Sequence, residues 1–563
     1  MPPMQMTPPD SSDPKGSGSA TGRPLVRRSI AGATAIMMAG ILGSRILALI
    51  RDRVIAHQFG QGFATDTYNG AFTVPDLIFF LIAGGAFSSA FIPVFSEYVE
   101  KGKEREAWQI FSVVASIMGI VVAGFIVLGE VYARRLVILT NPGYVAVPGK
   151  VEATVALTRI LLPAQICFFL GGLMMGTLQV KHRFGPTVLG PLIYNTGIIC
   201  GGLFLAHRFG VAGLCIGAVT GAVLGNLLLQ WLMVRRMGGY FLFGALRRHW
   251  RHPGVRQVGI LMLPVIFGLA LPQVSTIIGK IFASRLGDGP QSALMNANRL
   301  MHMPLGIFAQ STAQAAFPTM AAQAARGELS ALRGTVNYAL RRVLFLTVPS
   351  SVLLYVLALP AVQTILQTGA FGLQNSQMAA ACLRLFAVGL FAWSGHAIVT
   401  RGFYALKDSV TPVVVGTVVT AIFIPMNFVV LAVIGTAAGK HTQAVAALAG
   451  VTSIAAMLHM LTMLALLRRR LGGIEGGRLL ASVSRIVLAS AGAGLVCTGI
   501  RNALQRPLMA GRGSVTLHAL ALLVACSGAA IAVYAGLAFA FRMEETEVIR
   551  RIGAKLLRRR PAD

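Results

Sequence analysis

A short stretch near the start of the chain carries many charges for its apolar surroundings. The segment SRILALIRDRVIAHQFGQGFATDTYNGAF contains Arg45, Arg51, Asp52, Arg53 and Asp66. A charged side chain at membrane depth costs about 3 kcal/mol or more, so such residues normally face a water-filled cavity or a partner. Arg45 and Asp52 are two helical turns apart and therefore share one face of a helix, whereas Arg51 lies on a different face.

A second charged position lies in the other half of the chain. Arg299 follows two asparagines in the segment MNANRLMHMP, and His302 comes one turn later. Arg45 and Arg299 are flanked by apolar residues, so they are harder to explain as side chains that snorkel from a helix end than Arg51 is. His302 is either a satisfied polar residue or a proton relay.

The excess of arginine over acid at these positions indicates an anionic ligand. A guanidinium fork binds phosphate oxygens bidentately, and a low-dielectric cavity strengthens that attraction relative to a surface. A pump that extrudes cations would be expected to carry the opposite excess. The residues therefore predict a cavity that binds phosphate groups.

The elements that hold these charges are predicted to be membrane-spanning helices. The chain has 563 residues, of which 55% are hydrophobic and only 12% charged, and its mean hydropathy is +0.71. Soluble proteins carry about 25% charged residues. The net charge of +30 lies in short clusters between apolar runs, which is typical of topology signals and not of a nucleic-acid surface. The predicted fold class is an all-α polytopic membrane protein.

The sequence contains none of the motifs that indicate an enzyme or a metal site. It has no P-loop, no HExxH and no CxxC, and its six cysteines lie in apolar segments. We therefore expect a transporter without a cofactor. Because nothing here would hydrolyse ATP, uphill transport would draw on the membrane potential, a monovalent cation gradient or the supply of substrate.

Apolar runs of about 20 residues, each long enough to cross a bilayer, recur along the chain. We predict fourteen spans, centred near residues 40, 80, 120, 165, 196, 222, 268, 307, 350, 388, 420, 455, 490 and 528. Lysine and arginine concentrate in alternate loops and in both termini, and the positive-inside rule places that set in the cytoplasm. The predicted location is the plasma (inner) membrane.

The two halves of the chain resemble each other. The segment Val74–Pro93 resembles Met303–Pro318, and Leu157–Pro186 resembles Cys382–Pro412, at offsets equal to six spans. Parallel repeats of this kind build two lobes around a central path, although chance similarity of apolar sequence is the alternative. Arg159 and Arg384 occupy equivalent places in the repeats, where they serve either the contact between lobes or function.

These observations divide the chain into five parts. We expect a disordered cytoplasmic tail over 1–24, a first lobe with spans 1–6 over 25–240, a second lobe with spans 7–12 over 241–471, spans 13 and 14 over 472–543, and a basic cytoplasmic tail over 544–563.

The motif SRILALIRD, the pattern FG.G..TD.Y..AF that follows it and the segment NRLMHMPLGIF resemble the MurJ/MviN lipid II flippase family. This family lies within the multidrug/oligosaccharidyl-lipid/polysaccharide exporter superfamily. The resemblance implies two six-helix lobes, a cationic cavity and a groove in the last two spans for an undecaprenyl tail. It implies that lipid II, the peptidoglycan precursor, crosses from the cytoplasmic to the outer leaflet by alternating access, with cell-wall synthesis proteins as partners.

The resemblance also assigns roles to particular residues. The important cavity residues of the family match Arg45, Arg51, Asp66 and Arg299, and Asp52 matches the acidic partner of the first-span arginine. We expect Arg51 and Arg299 to hold the pyrophosphate from opposite lobes. Arg45 would add positive potential, and Asp66 would take part in an outward-side gate.

The sequence departs from the family pattern at several positions. Phe79 and Phe80 stand where well-known members carry an arginine pair, and Gly84 and His302 stand at acidic positions. No Asp or Glu occurs between residues 256 and 287 or between 409 and 470, where some members hold sodium. These departures leave three alternatives open: a flippase for another undecaprenyl-pyrophosphate glycan, a cation-coupled drug exporter of the same superfamily, and a membrane scaffold that does not transport.

Overall fold

The computed structural model of the protein describes residues 23–80, 86–435, 438–510 and 514–546. Within these ranges the chain forms helices joined by short turns and contains no β-strand, so the predicted all-α fold is confirmed. Most of the predicted N-terminal tail, the basic tail beyond residue 546 and Gly84 lie outside the described residues.

The first half of the chain folds into thirteen helices in the described ranges. They are α1 (Arg23–Phe59), α2 (Phe63–Ala71), α3 (Thr73–Ile78), α4 (Ala86–Glu100), α5 (Glu104–Val131), α6 (Ala133–Thr140), α7 (Lys150–Leu161), α8 (Ala164–Val180), α9 (Phe184–Cys200), α10 (Ala206–Phe209), α11 (Ala212–Gly221), α12 (Leu229–Arg236) and α13 (Ala245–His249).

Ten helices of the described ranges form the second half. They are α14 (Pro253–Ser284), α15 (Pro290–Pro304), α16 (Ser311–Ala325), α17 (Leu329–Val356), α18 (Ala358–Leu366), α19 (Leu373–Ala405), α20 (Val410–Ile434), α21 (His441–Arg470), α22 (Gly476–Ala510) and α23 (Val515–Ala540).

Ten helical segments among the described residues are long and apolar enough to cross a membrane. They are Glu104–Val131, Lys150–Val180, Phe184–Phe209, Ala212–Arg236, Leu329–Val356, Leu373–Ala405, Val410–Ile434, His441–Arg470, Gly476–Gln505 and Val515–Ala540. All ten coincide with predicted spans. Helices also lie at the other four predicted spans, in α1, in α2 to α4, in α14 and in α15 to α16, while the count of fourteen crossings stays a prediction.

Each half of the chain has its own buried apolar core. In the first half, Phe91 and Trp108 belong to a core built from α3, α4, α5 and α8. In the second half one continuous core joins α15 to α23, and it includes Cys497 and Cys526 of the last two helices. The last two helices therefore pack on the second half of the chain.

Helix α14 connects the two cores. Val258 and Met262 near its start are buried in the core of the first half. Ile278 and Phe282 near its end are buried in the core of the second half. This helix therefore carries its final turns, including Lys280, along the junction between the halves.

Close packing of small residues holds α9 against α11. A Cβ atom added at Gly197 would lie 2.5 Å from the Gly217 carbonyl oxygen, which is closer than side-chain carbons approach in proteins. Small residues at this spacing let membrane helices come into backbone contact. The packing fixes α9, which in turn presents Asn195 to α1.

The end of the described chain is fixed by an ionic cluster beneath α17 and α22. Glu544 lies 2.9 Å from the Arg341 guanidinium and 3.0 Å from that of Arg478. Hydrogen bonds from Arg478 and then Arg341 lower the pKa of the Glu544 carboxyl below its ordinary value. The cluster attaches the segment after α23 to the second half of the chain.

Candidate functional site

Arg51 and Arg299 meet at one carboxylate oxygen between the halves of the chain. The Nε and Nη2 atoms of Arg51 donate to Asp52 Oδ1 at 3.0 and 2.8 Å. Arg299 Nη1 donates to the same oxygen from α15 at 3.4 Å. The structure thus brings three of the predicted site residues together, with Arg51 and Asp52 from α1 and Arg299 from the other half.

Two asparagines complete this cluster. Asn195 of α9 accepts a hydrogen bond from Arg51 Nη1 at 3.0 Å, and Asn69 of α2 accepts one from Arg299 Nη2 at 3.1 Å. Arg299 remains 32% exposed, and its guanidinium has five N–H donors, so it keeps donors free for a ligand. The cluster is held in place without being saturated.

The cluster borders a cleft between the halves. In this conformation the cleft is narrow, with room for about one water molecule. Its lining consists of Asp52, Ile55, Ala56, Gly60, Thr65, Tyr68, Asn69, Asn296 and Arg299. The polar groups of α1, α2 and α15 therefore converge on one concave surface.

Arg45 and His302 lie on one side of this cluster. Arg45 precedes Asp52 by two turns on α1, and His302 follows Arg299 by one turn on α15, and both side chains are exposed. A Cβ atom at Gly306 would lie 2.6 Å from Arg45 Nη2, so the guanidinium of Arg45 rests on a residue without a side chain. The next turns of α15 widen into a π-helical segment, Leu305–Gln310, of a kind often found at functional sites.

Asp66 lies on the opposite side of the cluster and is fully buried. Its carboxylate caps the start of α15, where helix N–H groups lack partners. It accepts from the Gly289 N–H at 2.8 Å, from the Ser292 N–H at 2.9 Å and from the Ser292 hydroxyl at 2.6 Å. Asp66, the predicted gate residue, therefore caps α15 from α2 and joins the two halves of the chain.

Lys150 completes this second cluster, which we call the Asp66 latch (Asp66, Tyr144, Lys150, Asp288, Gly289, Gln291 and Ser292). Its ammonium is fully buried and lies 3.0 Å from Asp66 Oδ2 and 2.6 Å from Asp288 Oδ1. The Tyr144 hydroxyl donates to the Asp66 carbonyl at 2.7 Å and contacts Gln291. The latch thus ties the connection before α7 to the connection before α15, both of which are predicted to lie outside.

The end of α1 makes a further attachment on the side of the latch. Arg53 Nη1 donates to the carbonyl oxygens of Thr364 and Ile365 at 2.8 and 3.2 Å, where α18 ends. The Ala370 N–H donates to the His57 carbonyl at 3.0 Å. Arg53 therefore caps a helix C-terminus and does not face the cleft, unlike its neighbour Arg51.

The structure does not bring Arg159 and Arg384 to the cluster. Arg159 is 54% exposed and lies 3.7 Å from Glu130 of α5, within the first half of the chain. Arg384 is half-buried on α19, and none of the described residues gives it a hydrogen bond or ion pair. Phe79 packs edge to face against both Phe80 and Phe168, so the segment directly after α3 is apolar.

Several polar residues in or beside these clusters were not predicted from the sequence, among them Lys150, Asn69 and Lys280. Lys150 comes at the end of a predicted loop, where lysine also serves as a topology signal, and Asn69 is one of several polar residues in TYNGAF. Lys280 is an isolated charge in the apolar segment STIIGKIFAS. That isolation is the one signal that could have identified a site residue.

Comparison with known proteins identifies related sequences. A family model described as Lipid II flippase MurJ matches residues 55–518. A probable lipid II flippase MurJ of Haemophilus influenzae is 30% identical over 403 residues, which cover 69% of this chain and 78% of that protein. A protein of the same name from Bdellovibrio bacteriovorus is 29% identical, with 95% of this chain and 99% of the relative covered.

Solved structures share the fold. A lipid II flippase MurJ in an inward closed conformation superposes with a TM-score of 0.72 at 22% identity, covering 90% of this chain and 99% of that one. An inward-facing multidrug resistance MATE family transporter of the MOP superfamily gives a TM-score of 0.62 at 13% identity, with 77% and 96% of the two chains covered. This chain thus shares its helical fold with both kinds of transporter.

Proposed function

Because the chain belongs to the lipid II flippase MurJ family, we propose that Arg51 and Arg299 bind the diphosphate of lipid II from opposite lobes during transport. The chain is a membrane transporter and not an enzyme. It flips lipid II from the cytoplasmic to the outer leaflet by alternating access. The proposal concerns which residues hold the substrate while the lobes move.

The observation that carries the proposal is the sharing of Asp52 Oδ1 by two arginines from different halves of the chain. A diphosphate offers several oxygens to the same two guanidinium groups and would bind them bidentately. With Arg45, which lies to one side of this cluster, three arginines oppose the Asp52 carboxylate, which leaves an excess of two positive charges (three minus one). Each phosphate of a diphosphate diester carries about one negative charge, so the ligand matches that excess.

The Asp66 latch supplies the proposed outward-side gate. Its buried contacts join α2 and α7 of the first lobe to α15 of the second lobe on the predicted outer side. Arg45 lies on the predicted cytoplasmic side of the Arg51–Arg299 pair, where its charge attracts the anionic headgroup before the arginines bind it. Opening the latch would let the loaded cavity face outwards.

We further propose the topology and the energy source. The distribution of lysine and arginine places both termini in the cytoplasm of the cell. The membrane potential or a monovalent cation gradient would drive the cycle. Cell-wall synthesis proteins that consume lipid II at the outer surface are the proposed partners.

Complementation in cells depleted of their own lipid II flippase tests this proposal. The wild-type chain should restore growth, whereas Arg51→Ala and Arg299→Ala should not, at equal membrane abundance. Arg53→Ala is the matched control, because Arg53 neighbours Arg51 yet contacts α18 and not the cleft. Failure of a well-expressed wild type would overturn the function, and rescue by both arginine variants would overturn the assigned roles.

A further inference from the structure

Two carboxylates of the first lobe face positive groups of the second near the cleft, since Asp52 faces Arg299 and Asp66 faces the start of α15. A third carboxylate of the first lobe, Asp76, lies one turn after Thr73 on α3, and Lys280 of α14 contacts Thr73. Neither Asp76 nor Lys280 has a role in the binding of the diphosphate proposed so far.

Lys280 reaches across the junction from α14 to α2 and α3. Its ammonium donates to the Asn69 carbonyl oxygen at 3.4 Å and to the Thr73 hydroxyl at 3.2 Å. The Asn69 carbonyl belongs to the last turn of α2, where carbonyl groups lack helical partners and carry partial negative charge. Lys280 therefore caps the break between α2 and α3.

These contacts leave the ammonium poorly compensated. Lys280 is only 4% exposed, and no carboxylate oxygen of the described residues lies within ion-pair distance of it. A buried cation that has two long hydrogen bonds to neutral groups has lost its hydration without gaining an anion. Ionisable residues in membrane spans are rare and normally face a cavity or a charged partner, so this ammonium could accept an anion as its partner.

The position of Lys280 connects it to the substrate cluster. Asn69 accepts from Lys280 through its backbone and from Arg299 through its side chain, so one residue separates the two cations. Asn69 also lines the cleft. Both contacts of Lys280 with the first lobe, to Asn69 and Thr73, cross the junction between the lobes, so separation of the lobes would break them.

We propose that Lys280 is an additional substrate-binding residue, which binds the diphosphate together with Arg299 in exchange for its contacts with Thr73, Asn69 and the charge of Asp76. This inference rests on the proposed function. In the joined lobes, Asp76 and the Thr73 hydroxyl compete with the ligand for Lys280. Substrate binding therefore favours separation of α14 from α2 and α3.

Equilibrium binding of undecaprenyl diphosphate to the full-length protein in detergent tests this inference. Lys280→Met, which keeps the length of the side chain but removes its charge, should weaken binding by about 10-fold. Lys280→Arg should bind within a few-fold of the wild type. Thr73→Val removes a competing acceptor and should tighten binding about threefold, and this gain should vanish in the Lys280→Met background.

A purely structural role predicts a different pattern. If Lys280 only attaches α14 to the first lobe, Lys280→Met and Thr73→Val both lower thermal stability and leave affinity unchanged, which would overturn the inference. If Lys280→Met does not fold, Asp76→Asn provides the test, because it removes the charge that competes with the ligand. Tighter binding of undecaprenyl diphosphate by Asp76→Asn supports the exchange, and unchanged binding contradicts it. Loss of affinity in Arg299→Ala with none in Lys280→Met would overturn only the role of Lys280, whereas a wild type without affinity would remove the proposed function itself.

Discussion

The Asp66 latch and the Arg51–Asp52–Arg299 cluster are both ionic junctions between the lobes, yet they differ in how completely their groups are satisfied. In the latch, the Asp66 carboxylate and the Lys150 ammonium are fully buried and have contacts of 3.0 Å or less to charged partners. In the cluster, Arg299 is 32% exposed, and its contact with Asp52 is 3.4 Å long. We therefore expect the latch to keep the lobes joined and the cluster to exchange its Asp52 contact for a ligand.

This difference agrees with the proposal that the latch closes a gate and the cluster binds the substrate. A saturated buried network has no donor to offer, and breaking it by removing one partner costs about 3–5 kcal/mol. A partly exposed guanidinium with free donors can bind an incoming phosphate without first losing a strong contact. The two clusters are separated by two turns of α15, from Ser292 to Arg299, so movement of this helix affects both.

The largest difference between the two clusters is expected when a substitution removes a charge from the latch. Lys150→Met leaves the Asp66 and Asp288 carboxylates without their common cation, so the outer junction should open far more often. We expect hydrogen exchange of the Gly289 and Ser292 amides, which donate to Asp66, to rise on the order of 100-fold. Glu152→Gln on the same helix is the control, because its ion pair with Arg134 is exposed. Equal exchange in Lys150→Met and the wild type would show that the latch does not hold the lobes.

A smaller effect on substrate affinity is expected beside Arg45, on the predicted cytoplasmic side of the cluster. Gly306→Ala places a methyl group against the Arg45 guanidinium, which must then move away. Affinity for undecaprenyl diphosphate should fall about threefold while thermal stability is kept, because the displaced atoms are the end of a long side chain. Gly119→Ala on α5 meets open space and should change neither quantity. A loss of stability equal to that of a core substitution would contradict this account of Arg45.

The smallest effects are expected for the arginines outside the cluster. Arg159→Ala should change the rate of lipid II flipping in proteoliposomes by less than about twofold, since exposed ion pairs contribute little. Arg384→Ala should behave in the same way, because this side chain has no polar partner among the described residues. A loss in either variant as large as that of Arg299→Ala would extend the binding site beyond the cluster.

Much of the fold follows from the sequence because membrane helices are specified by long apolar runs. Ten long apolar segments of the described residues coincide with predicted spans, and the predicted family is confirmed by a match over residues 55–518. The predicted second span includes α2, α3 and α4, and its helix is interrupted at Phe72 between α2 and α3. Hydropathy alone contains no information about such breaks.

The candidate site was predictable only in part. Arg51, Asp52 and Arg299 stand out as charges in apolar surroundings, and the structure brings them together. Lys150 was missed because a lysine in a loop has the same sequence signature whether it is solvated or buried. Arg159 was included because the repeat gives it a partner in Arg384, but symmetry in sequence does not determine which way a side chain faces.

The central claim is that the cluster binds the diphosphate and that the latch does not. The most direct test measures the affinity of full-length Arg299→Ala and Lys150→Met for undecaprenyl diphosphate beside the wild type, in one detergent and at one salt concentration. We predict that Arg299→Ala weakens binding on the order of 100-fold, whereas Lys150→Met binds at least as tightly as the wild type. Equal losses in the two variants, or full affinity in Arg299→Ala, would contradict the account.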